Sequence, residues 1–212
     1  MTLILSGTDG LSDIDGSAAT PAVRGTDTNT GIFFGADTVG ISTGGTSALS
    51  IDASQNITTT NKFAKASMPI GSVLQVLSTT KTDTFSSAST SFVDITGFSV
   101  SITPTSSSSK ILVFGHITAS AGIITVISGF AQLVRDSTAI GNGAYGIAVN
   151  AVGNNDFTTQ FSFNYLDSPA TTSATTYKIQ FKGDTGTTWY INRPVNRNFA
   201  CSSTITVMEV AA

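Results

Sequence analysis

The sequence predicts an all-β chain: a short N-terminal β stalk, intertwined in a trimer, followed by a jelly-roll-like β-sandwich head. Three observations carry that expectation. Helix formers are scarce, with a single Glu (Glu209) and few Leu, whereas Val, Ile, Thr and Phe, which suit a pleated half-buried surface, recur throughout. Gly stands at 20 positions, many beside Asn or Asp, and supplies the positive-φ turns that separate short strands. The C-terminal two thirds shows period-two alternation of apolar and polar residues, the mark of strands with one face buried and one wet.

From Met1 to about Asn61, short apolar clusters (Ile32-Phe33-Phe34, Val39 to Ile41, Leu49 to Ile51, and Ile57) are split by turns such as Thr43-Gly44-Gly45-Thr46 and Asp52 to Asn56. Strands this short make no core alone. They bury useful area only against copies of themselves or another chain, so Phe33, Phe34, Ile41, Leu49, Ile51 and Ile57 are expected to pack a homo-oligomeric stalk. Lys62 and Lys65 then make the chain mildly basic, and Pro69 restricts Met68 and interrupts any ladder. The boundary falls there, giving an attachment and stalk segment over 1–67 and a head over 68–212.

In the head, Phe161, Phe163 and Tyr165 alternate with Ser162 and Asn164, and Tyr177, Ile179 and Phe181 with Lys178, Gln180 and Lys182. Further strands are expected over 71–78, 96–103, 110–119, 123–135, 187–192 and 202–210, joined by polar turns. About eight strands in such a length point to a sandwich or jelly roll. Ile111-Leu112-Val113-Phe114 and Ile123 to Ile127 are apolar on both faces. They lie inside a closed barrel, or trimerisation about an axis covers one wall.

Composition excludes several functions. Charged residues are 11% of the chain, against about 25% in ordinary soluble proteins, while Ser and Thr fill about 60 positions. The net charge is -3 and the pI about 4.8, with Lys and Arg scattered singly, so no basic stripe is available to a nucleic acid. Mean hydropathy is +0.22, yet no run approaches the roughly 18 apolar residues of a spanning helix, and no membrane insertion is expected. One Cys and one His preclude an intrachain disulfide and a four-ligand zinc site, so no cofactor is expected. Met1 to Ser6 lacks the basic start and long apolar core of a secretory signal, and synthesis in a cytoplasm is expected.

The stretch Gly16 to Phe34 (GSAATPAVRGTDTNTGIFF), followed by Ser42-Thr43-Gly44-Gly45-Thr46 and Ile51 to Asn56, resembles a segment of tail-fibre-like proteins of tailed bacteriophages, especially marine and cyanobacterial ones. The segment from Pro69 to Val76, the run Ser109 to Val113 and the ending Ser203 to Val210 resemble the C-terminal β domain of such fibres. That resemblance implies a homotrimer on the virion, bound to other virion proteins, whose head contacts a host surface glycan or protein. The long fibres carry a large N-terminal adaptor and an extended shaft that this sequence lacks. A place on the capsid surface, as a decoration or head fibre, is therefore the alternative to the tail. In either place Thr2, Leu3, Ile4, Leu5 and Ser6 are expected to dock on the particle as an added strand.

Catalysis is not expected. A glycosidase needs two carboxylates about 5 to 9.5 Å apart, and here the carboxylates sit in turns such as Asp9-Gly10, Asp15-Gly16 and Asp184-Thr185-Gly186. Gly40-Ile41-Ser42-Thr43-Gly44 spells Gly-x-Ser-x-Gly, but no helix signal follows, and it reads as a turn. Asp9, Asp13 and Asp15 approach an EF-hand spacing, yet Leu11 and Ala22 stand where ligands would be needed. His116 shares a strand face with Leu112 and Phe114, either satisfied inside the sandwich or facing a symmetry axis. Cys201 reads as an inert buried thiol.

The segment Thr188 to Asn198 holds the only Trp, two of the four Arg and three Asn. Aromatic rings with Arg and Asn donors are how a shallow glycan site is built, so Trp189, Tyr190, Arg193, Asn196 and Arg197 are receptor-binding candidates, with Asn154 and Asn155 on a second loop. Alternation favours Trp189 and Ile191 in the core, which leaves Tyr190, Arg193 and Arg197 as the better surface candidates.

Overall fold

The computed structural model describes residues 5–6, 10–11, 14–60, 68–122, 126–152, 158–195 and 200–212, and every regular element in them is a strand. The chain divides into two compact units, Met1–Ala64 and Lys65–Ala212.

In the first unit, β1 (Leu5–Ser6) pairs with β2 (Gly10–Leu11) in a minimal hairpin. Strands β3 (Val23–Arg24), β4 (Gly31–Gly35), β5 (Thr38–Thr43), β6 (Thr46–Ile51) and β7 (Ile57–Thr59) form an antiparallel meander in sequence order. Its turns follow from local chemistry. Gly44 and Gly45, at φ of 57° and 76°, make the two-residue link between Thr43 and Thr46, where positive φ at both positions matches the twist of a tight hairpin. The Asp52 carboxylate accepts the amides of Ser54 and Asn56, each at 2.9 Å, and so closes the β6–β7 turn. Gly40 to Thr43 belong to strand β5, not to a turn. Ser42 is buried, and strand β6 follows the Gly44-Gly45 link.

The second unit is a jelly roll, and the pairing itself shows it. Its principal strands are β8 (Val73–Lys81), β10 (Val93–Ile102), β11 (Lys110–Ala121), β12 (Ile127–Arg135), β14 (Ala148–Val152), β15 (Thr158–Asp167), β16 (Thr175–Gly183) and β18 (Ser203–Val210). They pair as nested antiparallel partners: β8 with β18, β10 with β16, β11 with β15, and β12 with β14. Such nesting is one long hairpin. Pairing of β11 with β18 and of β12 with β16 rolls that hairpin into two sheets, β8-β18-β11-β15 and β10-β16-β12-β14. Short additions extend them: β17 (Trp189–Ile191) runs on β11 beyond β18, β9 (Phe85–Ser87) pairs with β17, and β13 (Thr138–Ile140) pairs with β12. Strand β14 lies within the Gly-rich segment 140–153, where no strand is expected from sequence.

Period-two alternation aims one side of every long strand into the sandwich. In β16, Thr175, Tyr177, Ile179, Phe181 and Gly183 are buried, and in β18 so are Ser203, Ile205, Val207 and Glu209. The core centres on Phe161, Phe181 and Trp189, with ring centroids 5.3 to 6.2 Å apart in tilted or edge-on geometry, joined by Phe98, Ile117, Leu133 and Ile191.

Three polar clusters sit within that core, each closed by specific partners. Asp167 accepts from Arg135 Nη1 at 2.9 Å and from the Tyr177 hydroxyl at 2.6 Å. Burial, and then the adjacent Asp167 carboxylate, push the Tyr177 hydroxyl well above its ordinary pKa. Asn192, at φ 61°, donates to the carbonyl oxygens of Lys81 and Asp83 and accepts the Ser203 hydroxyl at 2.5 Å. These bonds fix the chain leaving β17 to the ends of β8 and β18.

Glu209, fully buried, accepts from the Thr105 amide at 2.6 Å, the Thr105 hydroxyl at 2.7 Å and Gln75 Nε2 at 2.6 Å. Burial raises its pKa, but the hydrogen bonds of Thr105 and Gln75 outweigh this and hold it below its ordinary value. A depressed folded-state pKa contributes stability above the unfolded value of about 4.3, and that contribution is lost as pH falls through the folded value. Glu209→Gln should therefore flatten part of the decline in melting temperature below about pH 4. Glu209→Ala, which leaves the Thr105 amide and Gln75 without their acceptor, should cost about 2 kcal/mol in chemical denaturation at pH 7.

Candidate functional site

Pairing in the first unit places Val23 opposite Ile32, Ile32 opposite Ile41, and Ile41 opposite Leu49. Phe34 pairs with Val39, Val39 with Ile51, and Ile51 with Ile57. Paired residues of an antiparallel sheet project to the same side, so eight apolar side chains form two adjoining rows on one face of this meander. Six of them (Val23, Ile32, Val39, Ile41, Ile51 and Ile57) are 37% to 67% exposed, and among the described residues no second layer within the unit covers them. The described acidic groups of the unit lie outside its strands: Asp27 takes the Asn29 amide at 3.2 Å, and hydrogen bonds of Thr30 and Asn29 hold its pKa low. An uncharged apolar surface of this extent is a candidate association site.

Five of the six expected stalk residues, Phe34, Ile41, Leu49, Ile51 and Ile57, share this face, and Phe33 does not. Phe33 pairs with Gly40 on the opposite side, where its ring lies so close that a Cβ at position 40 would come within 2.2 Å of Cζ. Consecutive apolar residues on a strand point to opposite faces, so the run Ile32-Phe33-Phe34 cannot deliver all three to one interface. Val23, outside the apolar clusters of the sequence, and Ile32 and Val39, within them but not among the expected packing residues, also lie on this face. Their signal was the strand pairing rather than the local pattern.

In the head, the three residues of β17 alternate buried, half-buried, buried. Trp189, 1% exposed and packed on Phe161 and Phe181, is a core residue and not a receptor contact, because its position on the strand turns the indole inward. Tyr190 projects outward and stacks with the Arg193 guanidinium 4.4 Å from its ring centroid. The Arg193 carbonyl oxygen accepts the Ser120 hydroxyl at 2.6 Å, which pins this loop to β11. Tyr190 and Arg193 thus form one preorganised aromatic–cation pair. Asn196, Arg197, Asn154 and Asn155 lie outside the described residues, as do Thr2, Leu3 and Ile4 of the expected docking strand; Leu5 and Ser6 fall in β1.

Two remaining sequence expectations are resolved locally. His116 projects from the outer side of β11, level with Ser162 and Thr204, rather than into the sandwich. Cys201 is half-buried, not enclosed. Among the described residues no three His, Cys, Asp or Glu side chains gather as a metal site would require.

No protein-family model matches the chain, and no curated protein matches it. Solved structures of infectious bursal disease virus do. The Gx strain structure is 18% identical over 65% of this chain and 42% of its own, with a TM-score of 0.38. The VP2 subviral particle is 14% identical over 90% of this chain and 51% of its own, with a TM-score of 0.36. The chain spans about half the length, or less, of the proteins it matches. Those similarities are too low to carry a functional argument, and the jelly-roll assignment stands on the strand pairing alone.

Proposed function

We propose that this chain is a non-enzymatic, homotrimeric bacteriophage virion fibre. Its N-terminal unit attaches to the particle and trimerises, and its jelly-roll head contacts the host cell surface. The observation that carries the reading is the uncovered apolar face of the N-terminal meander. Fully burying a Val, Leu or Ile side chain is worth about 1.5–3 kcal/mol, so covering the exposed part of each contributes on the order of 1 kcal/mol per residue. Six such residues per chain provide ample driving force for copies to meet. The fibre-like motifs of residues 16–56 fall on this same meander and support a virion setting for it. In the head, the Tyr190–Arg193 pair and its flanking loops are the surface offered to a receptor. Each contact is weak, and several heads on one particle convert weak contacts into firm attachment through effective concentration.

The test is light scattering on the full-length chain, followed by labelled protein on intact particles. A mass near three times 21.8 kDa with label at the tail is the expected result. Trimers bound to the shell instead would replace adhesion by capsid decoration, and a monodisperse monomer would overturn the fibre reading. Within an adhesive trimer, Arg193→Ala should lower cell-surface retention at least tenfold with the mass unchanged, as read by binding of labelled protein to host cells.

A further inference from the structure

The two sheets of the head divide charge unequally between their outer faces. On β10-β16-β12-β14 the outward positions include Asp94, Lys178 and Lys182: Lys178 Nζ meets Asp94 at 2.8 Å, Gln180 donates to the same carboxylate at 2.8 Å, and Lys182 lies over the Phe92 and Phe130 rings. This is an ordinary solvated face. The outer face of β8-β18-β11-β15 carries no carboxylate among the described residues. Its Lys and Arg stand at the margins: Lys110 at one end of β11, held by the Ser168 hydroxyl at 2.9 Å, and Arg193 at the other, stacked on Tyr190.

That neutral face is also apolar along one line. Val76 pairs with Met208, Met208 with Leu112, and Leu112 with Leu166, so four apolar side chains cross all four strands in register. Leu166 is 58% exposed and Val76 50%, and Phe114 stands in the next row. Beside the row lies a depression of about 490 Å³ lined by Phe114, His116, Ser162, Asn164, Thr204 and Thr206. Among the described residues, the side chains of His116, Ser162, Asn164 and Thr204 form no hydrogen bond. Some hydroxyls elsewhere do find partners, as Ser101 with Thr176 at 2.8 Å and Ser89 with the Ser91 carbonyl at 2.6 Å.

We propose that the outer face of β8-β18-β11-β15 is the surface on which the heads of neighbouring copies of this chain pack. The choice of a second copy over a foreign partner follows from the charge. A rotation axis presents the same face on every subunit, and a face of one fixed sign repels itself. A neutral face of apolar side chains and unengaged hydroxyl and amide groups is compatible with its own image. A face built for a charged partner would carry the complementary charge. This inference rests on the homotrimer reading and adds a second, independent surface to it, located in the head.

Thiol accessibility tests it in the full-length chain. In a Cys201→Ser background, Asn164→Cys places a thiol on the neutral face and Val149→Cys places one on the opposite sheet, where Val149 is 60% exposed. Both positions are open in a single chain. Packing of the heads predicts maleimide labelling at least tenfold slower at 164 than at 149, with the difference removed when Leu166→Asp is added. Light scattering on the same samples separates the two readings. A monomer overturns the homotrimer, whereas a trimer with equal labelling rates overturns only the head interface. Protection at 164 that arises only when dextran is added would also overturn it, and would mark the depression as a neutral-glycan groove.

Discussion

Ile51→Asp should reduce the light-scattering mass of the full-length chain from about three times 21.8 kDa to 21.8 kDa while leaving the head folded. Ile51 lies at the centre of the apolar face, paired with both Val39 and Ile57, and is 37% exposed within its own unit. A carboxylate there is hydrated in the monomer. Closing the interface would strip that hydration in every subunit with no cation on the face to compensate, and breaking even a paired buried charge costs about 3–5 kcal/mol. At about 3 kcal/mol per chain, association weakens more than a hundredfold per subunit. Thr58→Asp is the matched control, because Thr58 pairs with Ser50 on the opposite side of the same sheet. Its trimer should persist. Loss of the trimer in both variants would show that the unit tolerates no charge at all, and persistence in both would remove the apolar face from the assembly.

What the sequence made legible was alternation, and what it concealed was pairing. Tyr177, Ile179 and Phe181 in β16 are recognisable as inward residues because apolar and polar side chains strictly alternate there. In β18 the alternation of Ile205 and Val207 with Thr204 and Thr206 marks the same side before the outward Met208 and Val210 break it. The same parity marks Ser203 and Glu209 as inward, and Glu209 is the closing partner of Thr105 and Gln75. Polar identity hides them from a reading based on hydrophobicity. Strand β14 escaped for a different reason. Its Ala, Val and Asn residues sit in a Gly-rich segment, and only the β12 register from Ile127–Val152 to Ala131–Ala148 defines it. Of the candidate surfaces, the composition of the stalk clusters indicated that something must cover them. Which residues share the exposed apolar face required the hairpin registers, and these placed Phe33 on the far side and Val23, Ile32 and Val39 on the near one.

Trp189→Ala should destabilise the head by about 3–5 kcal/mol, the cost of deleting a large aromatic from a close-packed core. The indole touches both Phe161 and Phe181, and the backbone makes room for it: a Cβ on Gly129 would lie 2.6 Å from Phe181 Cζ and 2.9 Å from Trp189 Cη2. Gly129→Ala alone should therefore cost about 1–3 kcal/mol through overpacking. Trp189→Phe removes the outer indole ring that the new methyl would strike. It also removes Nε1, which is buried and finds no acceptor among the described residues. An unpaired buried donor carries a penalty of about 1–3 kcal/mol, so Trp189→Phe recovers part of what it loses in packing. Urea denaturation of the four proteins in this cycle should show Gly129→Ala milder by about 1 kcal/mol in the Trp189→Phe background. Simple additivity would mean that Phe181 alone sets the clash and that Gly129 is not the seat of the indole.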